Sequence, residues 1–211
     1  MADIFELFRR IGGGETGKKK PIGWILAGLG NPGMEYRDSR HNAGFCALDY
    51  IAEQIAAPVN RVRWHALCGE GDIGGERVLL MKPETFMNLS GTSVSEAAAF
   101  YKLPPEHIMI LHDDINFAPG RVRMRRSGSA GGHNGLKSVI DCLGSENFPR
   151  VKIGVGEKPN REYPLADWVL GRLSEEDRRA TKARYPDILD AITLWIGGDP
   201  ERAMSRLSQG S

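Results

Sequence analysis

Ile22-Gly23-Trp24-Ile25-Leu26-Ala27-Gly28-Leu29-Gly30-Asn31-Pro32-Gly33 is the stretch on which the fold turns. A short apolar run ends in glycines, and Gly28, Gly30 and Gly33 match the G-x-G-x-x-G spacing that follows the first strand of dinucleotide-binding folds. In that fingerprint the helix opens at the glycines, so that its N-terminus meets the pyrophosphate. Here Pro32 and a polar stretch to Arg40 intervene, and helical periodicity begins only with Phe45, Leu48, Ala52 and Ile55. An acidic residue should also end a second parallel strand about twenty positions later. Asp49 and Glu53 instead fall inside the helix. The stretch therefore reads as strand, long loop and helix, and predicts no cofactor.

Downstream, Val62 to Cys68 and Gly75 to Met81 flank a glycine-rich segment, which predicts an antiparallel hairpin stopped by Pro83. A second helix follows Ser90, and His107 to Leu111 reads as a central strand buried on both faces. Leu136, Val139, Ile140 and Leu143 recur at helical spacing before Gly144, and Val151, Ile153 and Val155 alternate as another strand. Ser174 with Asp177, and Asp199 before Pro200 and Glu201, mark two further helix starts. Parallel crossovers combined with a hairpin predict an α/β fold, a single-domain mixed β-sheet flanked by helices, over residues 22–211. Residues 1–21 form an appendage in which Ile4, Phe5, Leu7, Phe8 and Ile11 could line a short helix, docked or at the surface rather than in a membrane.

The length of 211 residues favours one domain with a substantial core. A net charge of +1 gives no global argument for nucleic acid, so an anionic partner must be held locally. Cys46, Cys68 and Cys142 lack the paired spacing of zinc or redox motifs and are expected as reduced thiols filling the core. No stretch reaches the apolar length of a membrane span, and Asp3 and Glu6 stand where a signal peptide needs an uncharged run. A cytoplasmic protein is expected.

His41, just before the first helix, is a candidate general base, since an imidazole takes up a proton near neutrality. Alone it would read as a structural histidine. Asn31, Asn88 and Asp113 also follow apolar strands or their extensions, however, and that edge of an open α/β sheet is where ligands bind. Asp113 and Asp114 after His112 invite a metal reading, but neighbouring strand residues point to opposite faces, so no metal is expected. An aspartate can instead accept from a histidine and fix its tautomer. No G-x-S-x-G occurs and no cysteine has a nucleophile signature, so water is the simpler nucleophile, held by asparagine amides in an ester hydrolysis. Gly128, Gly131, Gly132 and Gly135 surround His133 and Asn134 at a helix start, offering amide donors. Arg121, Arg123, Arg125 and Arg126 lack interleaved acids, which favours phosphate contact over a merely solvated face.

Taken together, Gly28 to Gly33, Tyr36, Arg40-His41-Asn42-Ala43-Gly44, Lys82-Pro83, Thr85 to Gly91, His112-Asp113 and Gly131 to Leu136 resemble bacterial-type peptidyl-tRNA hydrolase over roughly residues 23 to 207. The resemblance implies an enzyme that cleaves the ester between a peptide and the 3′-terminal ribose of tRNA, recycling tRNA after premature release from ribosomes. His41 is then the base, Asp113 its orienting group, and Asn31 a contact to the peptide side. Asn88 and Asn134 position substrate and water, Tyr36, Phe86 and Met87 line the cleft, and His133 joins the substrate contacts. Arg121, Arg123, Arg125 and Lys137 are the candidate tRNA phosphate contacts. The implied protein is a monomer whose partner is peptidyl-tRNA, with no cofactor, no membrane and no obligate protein partner. Two departures stand out: residues before 22 have no counterpart, and Met204-Ser205 stands where the family often has Met-Asn. A binding-only reading exists, because organelle splicing factors that bind RNA resemble this family, and a general small-ester hydrolase is a third. The intact set Asn31, His41, Asn88 and Asp113 favours turnover, and the arginine stripe disfavours a small ester.

Overall fold

The computed structural model describes residues 20–208, so the helix expected at residues 4–11 lies outside the described residues. Among the described residues seven strands make one sheet: β1 (Ile22–Gly28), β2 (Arg61–Arg63), β3 (Ala66–Ile73), β4 (Glu76–Pro83), β5 (Ile108–Asp114), β6 (Val122–Arg125) and β7 (Arg150–Gly154). Their order is β2-β3-β4-β1-β5-β7-β6. The pairs β1/β4, β1/β5 and β5/β7 are parallel, and β2/β3, β3/β4 and β6/β7 are antiparallel, giving the mixed sheet expected.

Strand alternation separates two cores. Leu26, Leu80, Met109, Leu111 and Val151 face one side with α1 (Ala43–Gln54), α6 (Tyr185–Ile196) and α7 (Pro200–Ser208), through Leu48, Ile51, Ile188, Ile192 and Leu207. Ile25, Ala27, Met81, Ile108 and Ile110 face the other with α2 (Ser90–Tyr101) and α3 (Asn134–Leu143), through Val94, Ala97, Leu136 and Val139. Every residue of β5 is buried, as its apolar run requires when helices cover both faces. Two shorter helices, α4 (Leu165–Leu170) and α5 (Glu175–Lys182), lead into α6. Ser174 Oγ accepts from the Asp177 N–H at 3.1 Å, and Asp199 Oδ1 from the Arg202 N–H at 3.0 Å, so both helix starts are capped as read.

The hairpin differs from its expected form. Trp64 and His65 take positive φ of 50° and 53°, splitting the predicted first strand into β2 and β3, and β3 runs on to a turn at Gly74-Gly75. Gly69 and Gly71 are therefore strand residues, not turn residues. A Cβ on Gly69 would lie 2.5 Å from the Pro58 carbonyl oxygen, and one on Gly71 would lie 2.7 Å from Ile55. They are bare because the chain after α1 crosses against the sheet there. Pro83 ends β4 from within rather than stopping it beforehand. The cysteines also diverge from expectation, since Cys68 is buried, Cys46 only partly so, and Cys142 exposed. Burial pushes the Cys68 thiol up to about 11, which keeps it inert as a nucleophile.

Candidate active site

Within the opening stretch Gly28 serves a close backbone contact, while a Cβ on Gly30 would meet the Phe45 ring at 2.6 Å. A Cβ on Gly28 would fall 2.5 Å from the Gly44 carbonyl oxygen, and one on Gly44 would fall 2.3 Å from the Leu111 carbonyl oxygen and 2.6 Å from Leu29 N and O. The Leu29 N–H donates to the Leu111 carbonyl at 2.9 Å, and the Phe45 N–H to the Leu29 carbonyl at 3.2 Å. The start of α1 thus rests directly on the ends of β1 and β5. That contact brings the turn Arg40–Asn42, which leads into α1, beside Asp113 at the end of β5.

His41 Nδ1 lies 2.7 Å from Asp113 Oδ1, and His133 Nε2 lies 2.9 Å from the same oxygen. The proton positions follow from the partners. His133 caps α3: its Nδ1 accepts from the Gly135 and Leu136 N–H groups at 3.1 and 3.2 Å, so its proton sits on Nε2 and is donated to Asp113. Burial pushes the Asp113 carboxyl up, but the electrostatic pull of the His133 and His41 rings and the hydrogen bonds they donate more than offset this and hold it well below the usual carboxylate range. Asp113 is therefore an acceptor only, and His41 donates Nδ1–H to it. The lone pair of His41 is left on Nε2, the tautomer a general base requires.

His41, Asp113, His133 and Asn134 share a cavity of about 470 Å³ with Arg125, Lys152 and the Ser127–Gly132 loop. Arg150 braces that loop, donating to the Ser129 and Glu146 carbonyls at 3.1 Å each. Lys152 pairs with Asp114 at 2.6 Å. Asp114 and Lys152 border the same cavity as Asp113. His112 donates Nδ1–H to the Asp113 carbonyl at 2.7 Å, leaving a buried Nε2 without a hydrogen-bond partner among the described residues. Burial, then the neighbouring His133, lowers the His112 pKa to about 3, so this ring stays neutral.

The ligand atoms of His41, Asp113 and His133 lie within 4.8 Å of one another, a spacing a small ion could use. The contacts of 2.7 and 2.9 Å are nevertheless those of shared protons. Neighbouring ligands on a tetrahedral ion with bonds near 2.1 Å stand about 3.4 Å apart. His133 moreover has its second nitrogen committed to the helix cap.

Other expected site residues fall elsewhere. Asn31 is buried and interlocked with Asn42: its N–H donates to Asn42 Oδ1 at 2.8 Å and its carbonyl accepts from Asn42 Nδ2 at 3.0 Å. Asn31 Oδ1 accepts from the Met87 N–H at 2.8 Å, which fixes the turn Met87–Leu89. Asn88 sits exposed on that turn beside exposed Phe86, with Tyr36 partly exposed on the loop after Gly33. Met87 is buried, and a Cβ on Gly135 would strike its sulfur at 2.5 Å, so it underpins α3 instead of facing an open cleft. None of these five lines the cavity holding His41. Of the basic set, only Arg125 lines it, while Arg121 and Lys137 are exposed elsewhere. Arg123 donates to the Leu207 and Ser208 carbonyls at 3.2 and 3.3 Å, at the C-terminus of α7. The cap formed by His133, the Asn42 lock and the Arg150 brace are roles that sequence reading missed. The Asn42 lock and the Ser129 contact of Arg150 join residues eleven and twenty-one positions apart, whereas the His133 cap is local but uses an imidazole in place of the usual capping side chain.

The sequence profile of the peptidyl-tRNA hydrolase family matches residues 25–211. A peptidyl-tRNA hydrolase of Agathobacter rectalis is 48% identical over 183 residues, covering 86% of this chain and 98% of that protein. One from Caldanaerobacter subterraneus is 43% identical over 185 residues, covering 88% of this chain and 99% of that protein. The crystal structure of the peptidyl-tRNA hydrolase of Acinetobacter baumannii superposes with a TM-score of 0.85 at 32% identity, covering 91% of this chain and 98% of that one. With the family profile matched from residue 25 onward and identities of 43 to 48% along almost the whole described chain, the chain belongs to the peptidyl-tRNA hydrolase family.

Proposed function

We propose that this chain hydrolyses the ester joining a peptide to the terminal ribose of tRNA, freeing both for reuse after premature ribosome drop-off. One observation carries the reading: Asp113 Oδ1 holds two imidazole N–H groups and so leaves His41 Nε2 as an open base in the cavity. In the first step His41 Nε2 takes a proton from water as the water oxygen bonds to the ester carbonyl carbon. Asp113 stabilises the resulting imidazolium. The tetrahedral intermediate then collapses, the carbon–oxygen bond to ribose breaks, and the imidazolium returns its proton to the leaving 3′-oxygen.

Asn134, at the positive end of α3, holds the water or the developing oxyanion. Asn31, fixed by Asn42 and Met87, sets the floor on which Asn88, Phe86 and Tyr36 receive the peptide end. The backbone phosphates meet Arg125 and Lys152 in the cavity, with Arg121 and Lys137 as outer contacts and Arg123 chiefly structural. Residues 22–211 are the catalytic domain and residues 1–21 an appendage to it. The reaction is independent of metal and cofactor, and the protein acts as a monomer in the cytoplasm. No described helix is long and apolar enough to cross a membrane.

The test is release of peptide from N-acetyl-aminoacyl-tRNA, set against unblocked aminoacyl-tRNA, with a chelator present. Turnover of the blocked ester alone is expected, and His41→Ala should lower it by orders of magnitude with little change in tRNA affinity. Binding without turnover would favour the RNA-binding reading, and equal turnover of simple esters would favour a general esterase.

A further inference from the structure

Arg40 precedes the proposed base in the chain, yet the chemistry above leaves it without a task. It is 9% exposed, and its guanidinium carbon stands 3.5 Å from the ring centroid of Trp168 in α4. Nη1 donates to the Trp168 carbonyl at 3.3 Å, and the Arg40 backbone N–H to the Gly171 carbonyl at 2.9 Å. Nε has no hydrogen-bond partner among the described residues, so the cation is held mainly by the face of the indole. Trp168 is fixed in turn, donating Nε1–H to the Gly156 carbonyl at 2.9 Å.

Helix α4 has six residues, of which only Val169 is buried, while Leu165 and Leu170 are each 40% exposed. So short a helix with so small an apolar anchor does not hold its place alone. Leu165, Ala166 and Val169 nevertheless form one wall of the cavity that contains His41. The ties between that wall and the turn before α1 converge on Arg40 and its neighbours. Ser39 bridges Arg172, and Arg178 reaches Asp38 at 3.5 Å. A Cβ on Gly171 would lie 3.0 Å from Arg40 Nη1, so the chain is bare where the guanidinium lies against it.

We propose that Arg40 is a positioning residue whose guanidinium, laid on Trp168, clamps α4 as the closing wall of the substrate cavity and joins that wall to the His41 turn. The kinetic part of this claim rests on the hydrolysis proposed above, whereas the clamp itself does not. Four variants separate the two: Arg40→Ala, Arg40→Lys, Trp168→Ala and Trp168→Phe. Amide hydrogen exchange over residues 165–171 reads the clamp without reference to activity. Steady-state hydrolysis of N-acetyl-aminoacyl-tRNA reads its use.

Arg40→Ala and Trp168→Ala should speed exchange in 165–171 while leaving α1 and α6 protected, and should raise KM about five- to thirtyfold with a smaller fall in kcat. Trp168→Phe keeps an aromatic face and should return KM to within about threefold of the parent. Arg40→Lys should fall between, because an ammonium lacks the planar face. The clamp is overturned if Trp168→Phe is as impaired as Trp168→Ala, if exchange in 165–171 is unchanged in Arg40→Ala, or if α1 and α6 loosen to the same extent. Should the parent itself fail to hydrolyse the substrate, the proposed function falls, and exchange alone decides the clamp.

Discussion

Replacing Asp113 by Asn keeps the shape of the site and removes its charge, and the structure says how the new amide must sit. A carboxamide can present either its oxygen or its NH2 to the two rings, and the choice decides the outcome. If the NH2 faced His41, that ring would have to accept at Nδ1 and carry its proton on Nε2, where it could no longer act as a base. Such a tautomer reversal costs about ten-thousandfold in rate. His133 opposes that orientation. Its Nδ1 is committed to the Gly135 and Leu136 N–H groups, so its Nε2–H must donate, and it contacts the same Asp113 oxygen that His41 does. The amide oxygen is therefore held toward both rings and His41 keeps its tautomer.

What Asp113→Asn loses is the ionic part of one hydrogen bond to the imidazolium, about 1.5–3 kcal/mol, or about 10- to 150-fold in kcat. Removing the second donor releases the constraint. The cost of Asp113→Asn should consequently be at least about tenfold larger in a His133→Ala background than in the parent, a coupling that a double-mutant cycle reads directly. Single-turnover release of peptide from N-acetyl-aminoacyl-tRNA is the assay. A ten-thousandfold loss in the Asp113→Asn single variant, or an equal cost in both backgrounds, would refute the proton assignment.

Further expectations concern stability and binding. His112 titrates near 3 in the folded chain and near 6.5 when unfolded, so the unfolded state binds more protons between those values and stability falls as pH drops through that window. At pH 4.5 this amounts to about 2–3 kcal/mol. His112→Asn should therefore show a smaller loss in urea unfolding between pH 7.5 and 4.5, and equal losses would contradict the assignment. Gly44→Ala places a Cβ against main-chain atoms of Leu111 and Leu29 and should cost about 3 kcal/mol, the upper part of the overpacking range; an unchanged thermal midpoint would show that the contact can relax. Arg125→Gln should flatten the salt dependence of tRNA binding by about one unit of log–log slope. Arg123→Gln should leave the slope alone and cost about 1 kcal/mol of stability through the lost contacts to α7. A salt slope that responds to Arg123 and not to Arg125 would reverse that assignment.

Local patterns carried most of the architecture. The burial of β5, the caps at Ser174 and Asp199, and the left-handed Gly144 that closes α3 each follow from a few adjacent residues. Features set by distant contacts were not legible. Gly69 and Gly71 look like turn residues in sequence and become strand residues only because Pro58 and Ile55 press on them. Positive φ at Trp64 has no signal in a bulky residue type that ordinarily avoids it. At the site, the pairing of His41 with Asp113 came from the family resemblance and not from spacing, and Asp113 does hold His41. The second imidazole on that oxygen was not legible, because His133 reaches it from a helix start twenty residues downstream. Asn31 shows the same limit, since its side-chain oxygen is used on Met87, fifty-six residues away.

The main-chain abutment of Gly44 on Leu111 and Leu29 has a mechanical consequence. The base stands three residues before Gly44 and its carboxylate two residues after Leu111, so their spacing is gauged by carbonyl and amide atoms common to every amino acid. Apolar side chains beneath can be exchanged by drift without moving one member of the dyad relative to the other. The alignment is inherited through the peptide backbone, and the interior is free to vary around it.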